Sequence, residues 1–370
     1  MWASSRLCKT TLCSGALPND RVILSPILSV DSESLRAPSA AGVALLGDAV
    51  WAAGAVTPAR RIAVIGTCKN AGKTTALLAL LAATSARGLS AAVVSIGVDG
   101  EAHDVFLDFA KPQIWLDKGA HFVTALPFAL AAGRSIAVLR QLPFATALGP
   151  TVVGVVRHRC AVQLSGIGHR AHLHVAVTEL LHCADRVVID GAYHRQAAAH
   201  PAVADAVVVA VGAMAGPTTG AAWRASMPTV RALLAPPGSE SGYSDAERGF
   251  HPVQAALTDA LIAAHPAVHR FAVRDPSRIL LSAAGWEQLD RRQAHVEVLA
   301  AVPVRAIVCN PFRADATAAG ATDSSTADGH GFVDAVAQYL GQLTVVDAPV
   351  TAVEVPVIDV VGGWRGQQWR

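Results

Sequence analysis

Ten residues, Gly66-Thr67-Cys68-Lys69-Asn70-Ala71-Gly72-Lys73-Thr74-Thr75, constrain this chain more than any other stretch, because of what flanks them. Before them Arg61–Ile65 is a short apolar run. After them Thr74–Arg87 carries leucines and alanines at helical spacing and stops at Gly88. The order is therefore strand, glycine-bounded loop, helix. Glycine lets a backbone approach oxygen anions, the first N–H groups of a helix present positive potential, and a lysine adds a point charge. This combination predicts a phosphate-binding loop. Gly66, Thr67, Lys69, Asn70, Ala71, Gly72, Lys73, Thr74 and Thr75 are its candidate contacts, with Lys73 on the β and γ oxygens and the Thr74 hydroxyl on Mg2+.

The spacing is a variant of the common P-loop, since five residues rather than four separate Gly66 from Gly72. Lys69 lies four positions before Lys73, one short of the signature lysine of the deviant Walker A form, so that role is not assigned to it. A nucleotide contact and a solvated loop lysine both stay open for Lys69.

A charge-free, valine-rich run at Ala91–Ile96 is what a parallel strand covered on both faces requires, and further apolar strands are expected at Thr151–Val156, Arg186–Ile189, Ala206–Val211 and Arg305–Cys309. Helical patterns fall at His169–Cys183, Thr219–Leu234, Ala283–Arg292 and Val333–Leu340. Shorter strands are expected at Gln113–Leu116, Ala137–Leu142, Ala161–Leu164, Arg278–Leu281 and Val355–Val360, and Ala314–His330 reads as a loop. The expected fold class is α/β, a P-loop NTPase with a mainly parallel sheet covered by helices on both faces. Residues 1–59 read as an N-terminal extension whose order the pattern leaves open, residues 60–235 as the nucleotide-binding core, and residues 246–370 as an α/β part that continues the sheet or forms a small subdomain.

Two acidic segments could complete the site. Ser95-Ile96-Gly97-Val98-Asp99-Gly100-Glu101-Ala102-His103-Asp104 places three carboxylates after the second strand, where α/β sheets bind ligands. Asp99 is the candidate there for a metal or the attacking water, and with Lys73 forms the expected catalytic pair; a solvated turn is the bland alternative. Val187-Val188-Ile189-Asp190 is an apolar strand ending in a carboxylate, the Walker B arrangement, so Asp190 joins Thr74 and Asp99 as a candidate Mg2+ ligand. His158, His169, His172, His174, His182 and His194 crowd one region, but His172 and His174 stand two apart on a helix and would not share a face. No metal cluster is expected from them.

Composition narrows the classes. Hydrophobic residues are 52% and charged residues 16% of 370, too few charges to keep a disordered chain solvated. A net charge of +2 does not supply the positive field that nucleic-acid binding requires. Crossing a bilayer takes about 20 uninterrupted apolar residues. Ala41–Val56 is broken by Asp48, and Val207–Trp223 contains Gly212, Gly216, Pro217 and Gly220. Six scattered cysteines in a chain of this size fit a reducing compartment, so a cytoplasmic location without membrane or nucleic-acid partners is expected.

Several separated segments together resemble one family, the KamB-like P-loop subunit of the lysine 5,6-aminomutase reactivating factor. They are Val64–Thr75, Ser95–Asp104, Lys111-Pro112, Ile189–Arg195, Pro201–Ala206 and Asn310-Pro311. The likeness runs from about Arg60 to Val360, with Cys68, His194 and the Ala314–His330 loop departing from the pattern. It implies an ATPase using ATP and Mg2+, working with a MutS-like partner subunit on an adenosylcobalamin-dependent aminomutase to exchange damaged cobalamin. ATP rather than GTP rests on this resemblance, together with the lack of an N-K-x-D guanine-reading motif. The loop is also similar to that of dethiobiotin synthetase, and an ATP-dependent small-molecule ligase or kinase is the alternative reading.

Overall fold

The computed structural model describes residues 37–51, 59–97, 113–191, 196–238, 250–312, 327–342 and 355–366. In chain order these form α1 (Ala40–Trp51), β1 (Arg61–Gly66), α2 (Lys73–Ala86), β2 (Ala91–Ser95), β3 (Trp115–Leu116), β4 (His121–Ala125), α3 (Leu126–Ala131), β5 (Ile136–Thr146), β6 (Gly149–Val156), β7 (Cys160–Ala161), α4 (Arg170–Leu181) and β8 (Arg186–Asp190). They continue with β9 (Ala206–Gly212), α5 (Thr219–Leu233), β10 (Phe250–Val253), β11 (Leu257–Thr258), α6 (Asp259–Ala264), β12 (Arg270–Val273), β13 (Ile279–Leu280), α7 (Ala283–Arg291), β14 (His295–Val298), β15 (Val304–Asn310), α8 (Ala327–Gly341), β16 (Val357–Asp359) and β17 (Trp364–Arg365).

Ten strands make the main sheet in the order β17-β16-β15-β9-β1-β8-β2-β4-β6-β5. From β16 through β4 every neighbouring pair is parallel; β17 at one end and β6 at the other run against them, and β5 pairs antiparallel with β6. The central strands carry charge only near their ends because both faces are covered. On one face Leu46 and Val50 of α1 and Leu77 and Leu80 of α2 pack on Ile62, Val64, Val188 and Val208. On the other, Leu173 and Leu180 of α4, Trp223 and Val230 of α5 and Val336 of α8 pack on Ala63, Ile65, Ile189 and Val209. Alternate residues of β1 thus feed two cores, which is why it reads as an unbroken apolar run. The chain leaves β1 toward β2 on one side while β9 and β15 lie on the other, so strand order reverses at the carboxyl end of β1. Open α/β sheets hold ligands at such a reversal.

Residues 250–298 depart from this sheet. β10, β12 and β14 form a separate three-stranded parallel sheet with its own core around Ile262, Phe271, Trp286 and Leu289. The chain then returns to the main sheet as β15, beside β9. Two bonds tie this small unit to α5. Arg231 donates to both carboxylate oxygens of Asp290 at 2.7 Å, and its guanidinium lies 4.3 Å from the Trp286 ring centroid.

Some elements differ from the sequence expectation. Ala40–Trp51, within the stretch read as an extension, is a helix whose approach is tied to the far end of the chain: Ser39 N donates to Val360 O at 2.9 Å. His121–Ala125 is a main-sheet strand with no counterpart in the reading, whereas the segment read as a strand over Gln113–Leu116 contributes only Trp115–Leu116, paired with β7. Ala327–His330, read as part of a loop, opens α8. No helix among the described residues is long and apolar enough to cross a membrane.

Candidate functional site

The Gly66–Thr75 segment leaves β1 at its carboxyl end and is anchored from three sides. Thr67 N donates to Ala210 O at 2.9 Å, and the Thr67 hydroxyl meets both Ala210 O (3.3 Å) and the Ser226 hydroxyl of α5 (2.8 Å). Cys68 and Ala71 are buried against Ala210. Burial pushes the Cys68 thiol above its usual pKa, although the Gly212 carbonyl and the Lys73 charge pull it down. From β15, Asn310 Nδ2 donates to Asn70 O at 2.8 Å. Asn70 has φ 59° and Gly72 φ 92°, with Ala71 between them outside the left-handed region. Left-handed residues set into such a turn are the backbone pattern of anion-binding concavities. Asparagine tolerates this region better than other residues with a Cβ.

Lys73 begins α2, and its side chain lies back over Gly66. A Cβ on Gly66 would fall 2.8 Å from Lys73 Cγ and Cδ and 3.2 Å from Nζ. Glycine at position 66 is thus the condition for the ammonium group to sit above the loop. α2 has no side-chain cap, because Gly72 is its N-cap, and its first turn holds no acidic residue. The opening N–H groups and the helix dipole are left for an external anion. Thr74 and Thr75 lie in that same first turn, Thr75 largely buried and Thr74 partly exposed. Lys69 is exposed on the loop.

Asp190 ends β8, the strand next to β1, in register with Val64. Its neighbour Ile189 faces the α4 side, whereas Val188 faces α2, so strand alternation turns Asp190 toward the α2 face on which Lys73 and Thr74 begin the helix. Asp190 is 1% exposed, and the Ser95 hydroxyl at the end of β2 lies 3.4 Å from its Oδ2. Ser95 also donates to Gly97 O at 2.8 Å, so one hydroxyl joins the carboxylate to the start of the acidic segment after β2.

The structure therefore gathers Gly66, Thr67, Asn70, Ala71, Gly72, Lys73, Thr74 and Thr75 around one helix end and sets Asp190 on the adjoining strand. Asp99, Glu101 and Asp104 lie outside the described residues, as do His194 and Arg195. Sequence reasoning missed the supports from Gly212 and Ser226, and it quoted Ser95 and Asn310 within longer segments without foreseeing their contacts with Asp190 and Asn70. The His172 ring stacks on Phe144 at 4.4 Å, His174 Nδ1 donates to Ala202 O at 2.9 Å, and no group of three or more metal-ligating side chains occurs among the described residues.

Mg2+ beside a polyphosphate needs no such cage. It takes one or two protein oxygens and completes its shell with phosphate oxygens and water. A buried carboxylate at Asp190 and a first-turn hydroxyl at Thr74 fit that donor set. Pro201–Ala206, one of the resemblance segments, is structural: Asp205 accepts from Arg60 N (3.0 Å), Arg61 N (2.9 Å) and Arg61 Nε (2.9 Å) at the amino-terminal end of β1, away from the loop. The chain matches no family model and no curated protein.

Proposed function

We propose that the protein is a P-loop nucleoside triphosphatase that binds and hydrolyses ATP with Mg2+. The observation carrying this reading is the side chain of Lys73 laid over Gly66 at the head of an uncapped helix, with the Asp190 carboxylate on the same face of the next strand. In that arrangement the loop N–H groups and Lys73 bind the β and γ phosphates, and Thr74 and Asp190 hold Mg2+. The metal supplies neutralisation of charge developing on the transferred phosphoryl group. Asp99 is proposed to place the attacking water or a metal-bound one.

The biological role we favour is that of a chaperone-like reactivating factor. It would act with a MutS-like partner subunit on an adenosylcobalamin-dependent aminomutase, its nucleotide state changing the conformation of the loop after β2. This role rests on the resemblance of the separated segments Val64–Thr75, Ser95–Asp104 and Ile189–Arg195.

Calorimetric titration with Mg·ATP tests the nucleotide site: the wild type should bind, and Lys73→Ala should abolish binding. Equal affinity in both would refute it. Turnover distinguishes the roles. A reactivating factor hydrolyses ATP slowly and is stimulated by a protein partner, whereas ATP consumption only with a small carboxylate or amine substrate would replace that role with the ligase reading.

A further inference from the structure

α5 is bonded at one place to the Gly66–Thr75 loop and at another to the unit of residues 250–298. The first bond joins the Ser226 and Thr67 hydroxyls at 2.8 Å and is closed off from solvent, Ser226 being 0% and Thr67 5% exposed. Thr67 Oγ1 also lies 3.3 Å from Ala210 O, which can only accept, so Thr67 donates there and the Ser226 hydroxyl donates to Thr67. The second bond lies five residues on, about 7.5 Å along the helix. There the Arg231 guanidinium takes both carboxylate oxygens of Asp290 at 2.7 Å and lies over the Trp286 ring.

Past its last turn the chain stays with the small unit. Val298 N donates to Pro236 O at 2.9 Å and Gly238 N to Val298 O at 2.7 Å, so residues 236–238 run beside the end of β14. Ala232 and Ala235 are buried in the small unit's core, while Met227, next to Ser226, packs against that core and against the main one. The first half of α5 belongs to the main sheet: Ala222 and Trp223 are buried in its core, and Trp223 stacks on Tyr339 of α8 with ring centroids 5.9 Å apart. Pro228 lies between the two bonded positions. It has no N–H to offer the Arg224 carbonyl, and a helix bends most readily at such a gap. A change of bend there, set by how the small unit is seated, displaces the turn that carries Ser226.

We propose that α5 couples the phosphate loop to the small unit, so that nucleotide occupancy of the loop is felt at the seat of residues 250–298 and the seating of that unit sets the loop's affinity for nucleotide. The proposal rests on the reading of the loop as a nucleotide site. A bound polyphosphate fixes the loop, Thr67 with it, and through the buried hydroxyl pair the turn of α5 at Ser226. The same turn is fixed from the other side when Arg231 is held by Asp290 and Trp286. Each event lowers the ordering cost of the other, and coupling of this kind is reciprocal. The small unit is thereby a regulator of a site to which it contributes no residue.

The test is a double-mutant cycle on the full chain, read as affinity for Mg·ATP. The Asp290 side chain is 54% exposed on α7, so Asp290→Asn removes the Arg231 pair without opening a core. It should weaken Mg·ATP binding about fivefold, the lower end of couplings between sites, and should add little once Ser226→Ala is present. An unchanged affinity, or the same loss in both backgrounds, overturns the proposal. Hydrogen exchange reads the coupling with no ligand present. The Thr67 amide is bonded to Ala210 O at 2.9 Å, and Asp290→Asn should speed its exchange in the nucleotide-free chain roughly fivefold. An unchanged rate overturns the proposal as well. A wild type that does not bind Mg·ATP refutes the nucleotide reading instead, and the exchange measurement then decides whether α5 couples the loop to the small unit.

Discussion

Asn310 reaches back across 240 positions of sequence to donate from Nδ2 to the carbonyl of Asn70 at 2.8 Å, and so ties the end of β15 to a left-handed residue of the Gly66–Thr75 loop. The Asn310 side chain is itself fixed, since Phe312 N donates to its Oδ1 at 3.3 Å. The loop is therefore pre-shaped by a strand that carries none of its own residues, and pre-organisation of this kind is worth affinity. Asn310→Ala should weaken Mg·ATP binding by roughly tenfold, the value of one hydrogen bond. Asn310→Asp should be worse despite its equal size, because a carboxylate oxygen would then face the Asn70 carbonyl. Titration of both variants with a fluorescent ATP analogue checks the order, and an aspartate variant as good as the wild type would remove Asn310 from the site.

Two glycines near the loop tolerate a methyl group very differently. At Gly66 the added Cβ meets Cγ and Cδ of Lys73, the middle of a flexible side chain that can swing away. Gly66→Ala should leave the unfolding free energy within about 0.5 kcal/mol of the wild type, as for substitutions that displace no core group, while displacing the ammonium and removing ATP binding. At Gly212 the Cβ would lie 2.8 Å from Ala71 Cα and 3.0 Å from Cys68 Sγ, so the loop backbone itself must move. Gly212→Ala should cost both binding and roughly 1–3 kcal/mol of stability, the range for overpacking. Urea unfolding beside nucleotide titration separates the two, and a Gly66→Ala variant that still binds ATP would mean the Lys73 ammonium is not needed where it lies.

The part of the site that was legible in the sequence is the part built from neighbouring residues. β1, the loop, α2 and the acidic end of β8 each declare themselves within about a dozen positions, because a charge-free strand, a glycine and a helix start are local properties. What escaped depends on distant partners. Asn310 and Ser226 serve the loop only because β15 pairs with β9 and α5 crosses the same sheet, and no local pattern encodes that. β4 was missed because His121-Phe122-Val123-Thr124-Ala125 mixes polar and apolar residues, its hydroxyl at Thr124 being satisfied by Gln163 O at 2.8 Å rather than by water. β10 contains Pro252, a strand breaker in sequence, which is tolerated because β10 is the edge strand of the small sheet.

At the opposite end of β1 the pair Arg61–Asp205 makes a claim about stability that is independent of any ligand. Asp205 accepts from two backbone N–H groups and from the Arg61 guanidinium, with an N–O separation of 2.5 Å, and fixes where β1 and β9 begin. Burial would raise the Asp205 pKa, but the bonds from Arg61 and Arg60 and the Arg61 charge outweigh it, so its folded value lies below the ordinary one. A carboxylate depressed in this way stabilises the fold above its unfolded pKa of about 3.9, and that contribution is lost as pH falls through the lower folded value. Asp205→Asn keeps the shape and removes the charge, and at pH 7 should cost about 2 kcal/mol, the range for hydrogen bonds to a charged group. As pH is lowered below 4 the wild type alone loses stability from this group, so the two unfolding curves should converge. Urea denaturation of both chains at pH 7 and in steps below pH 4 measures the gap. A gap of constant size across that range would show that Asp205 acts through its shape and not through its charge.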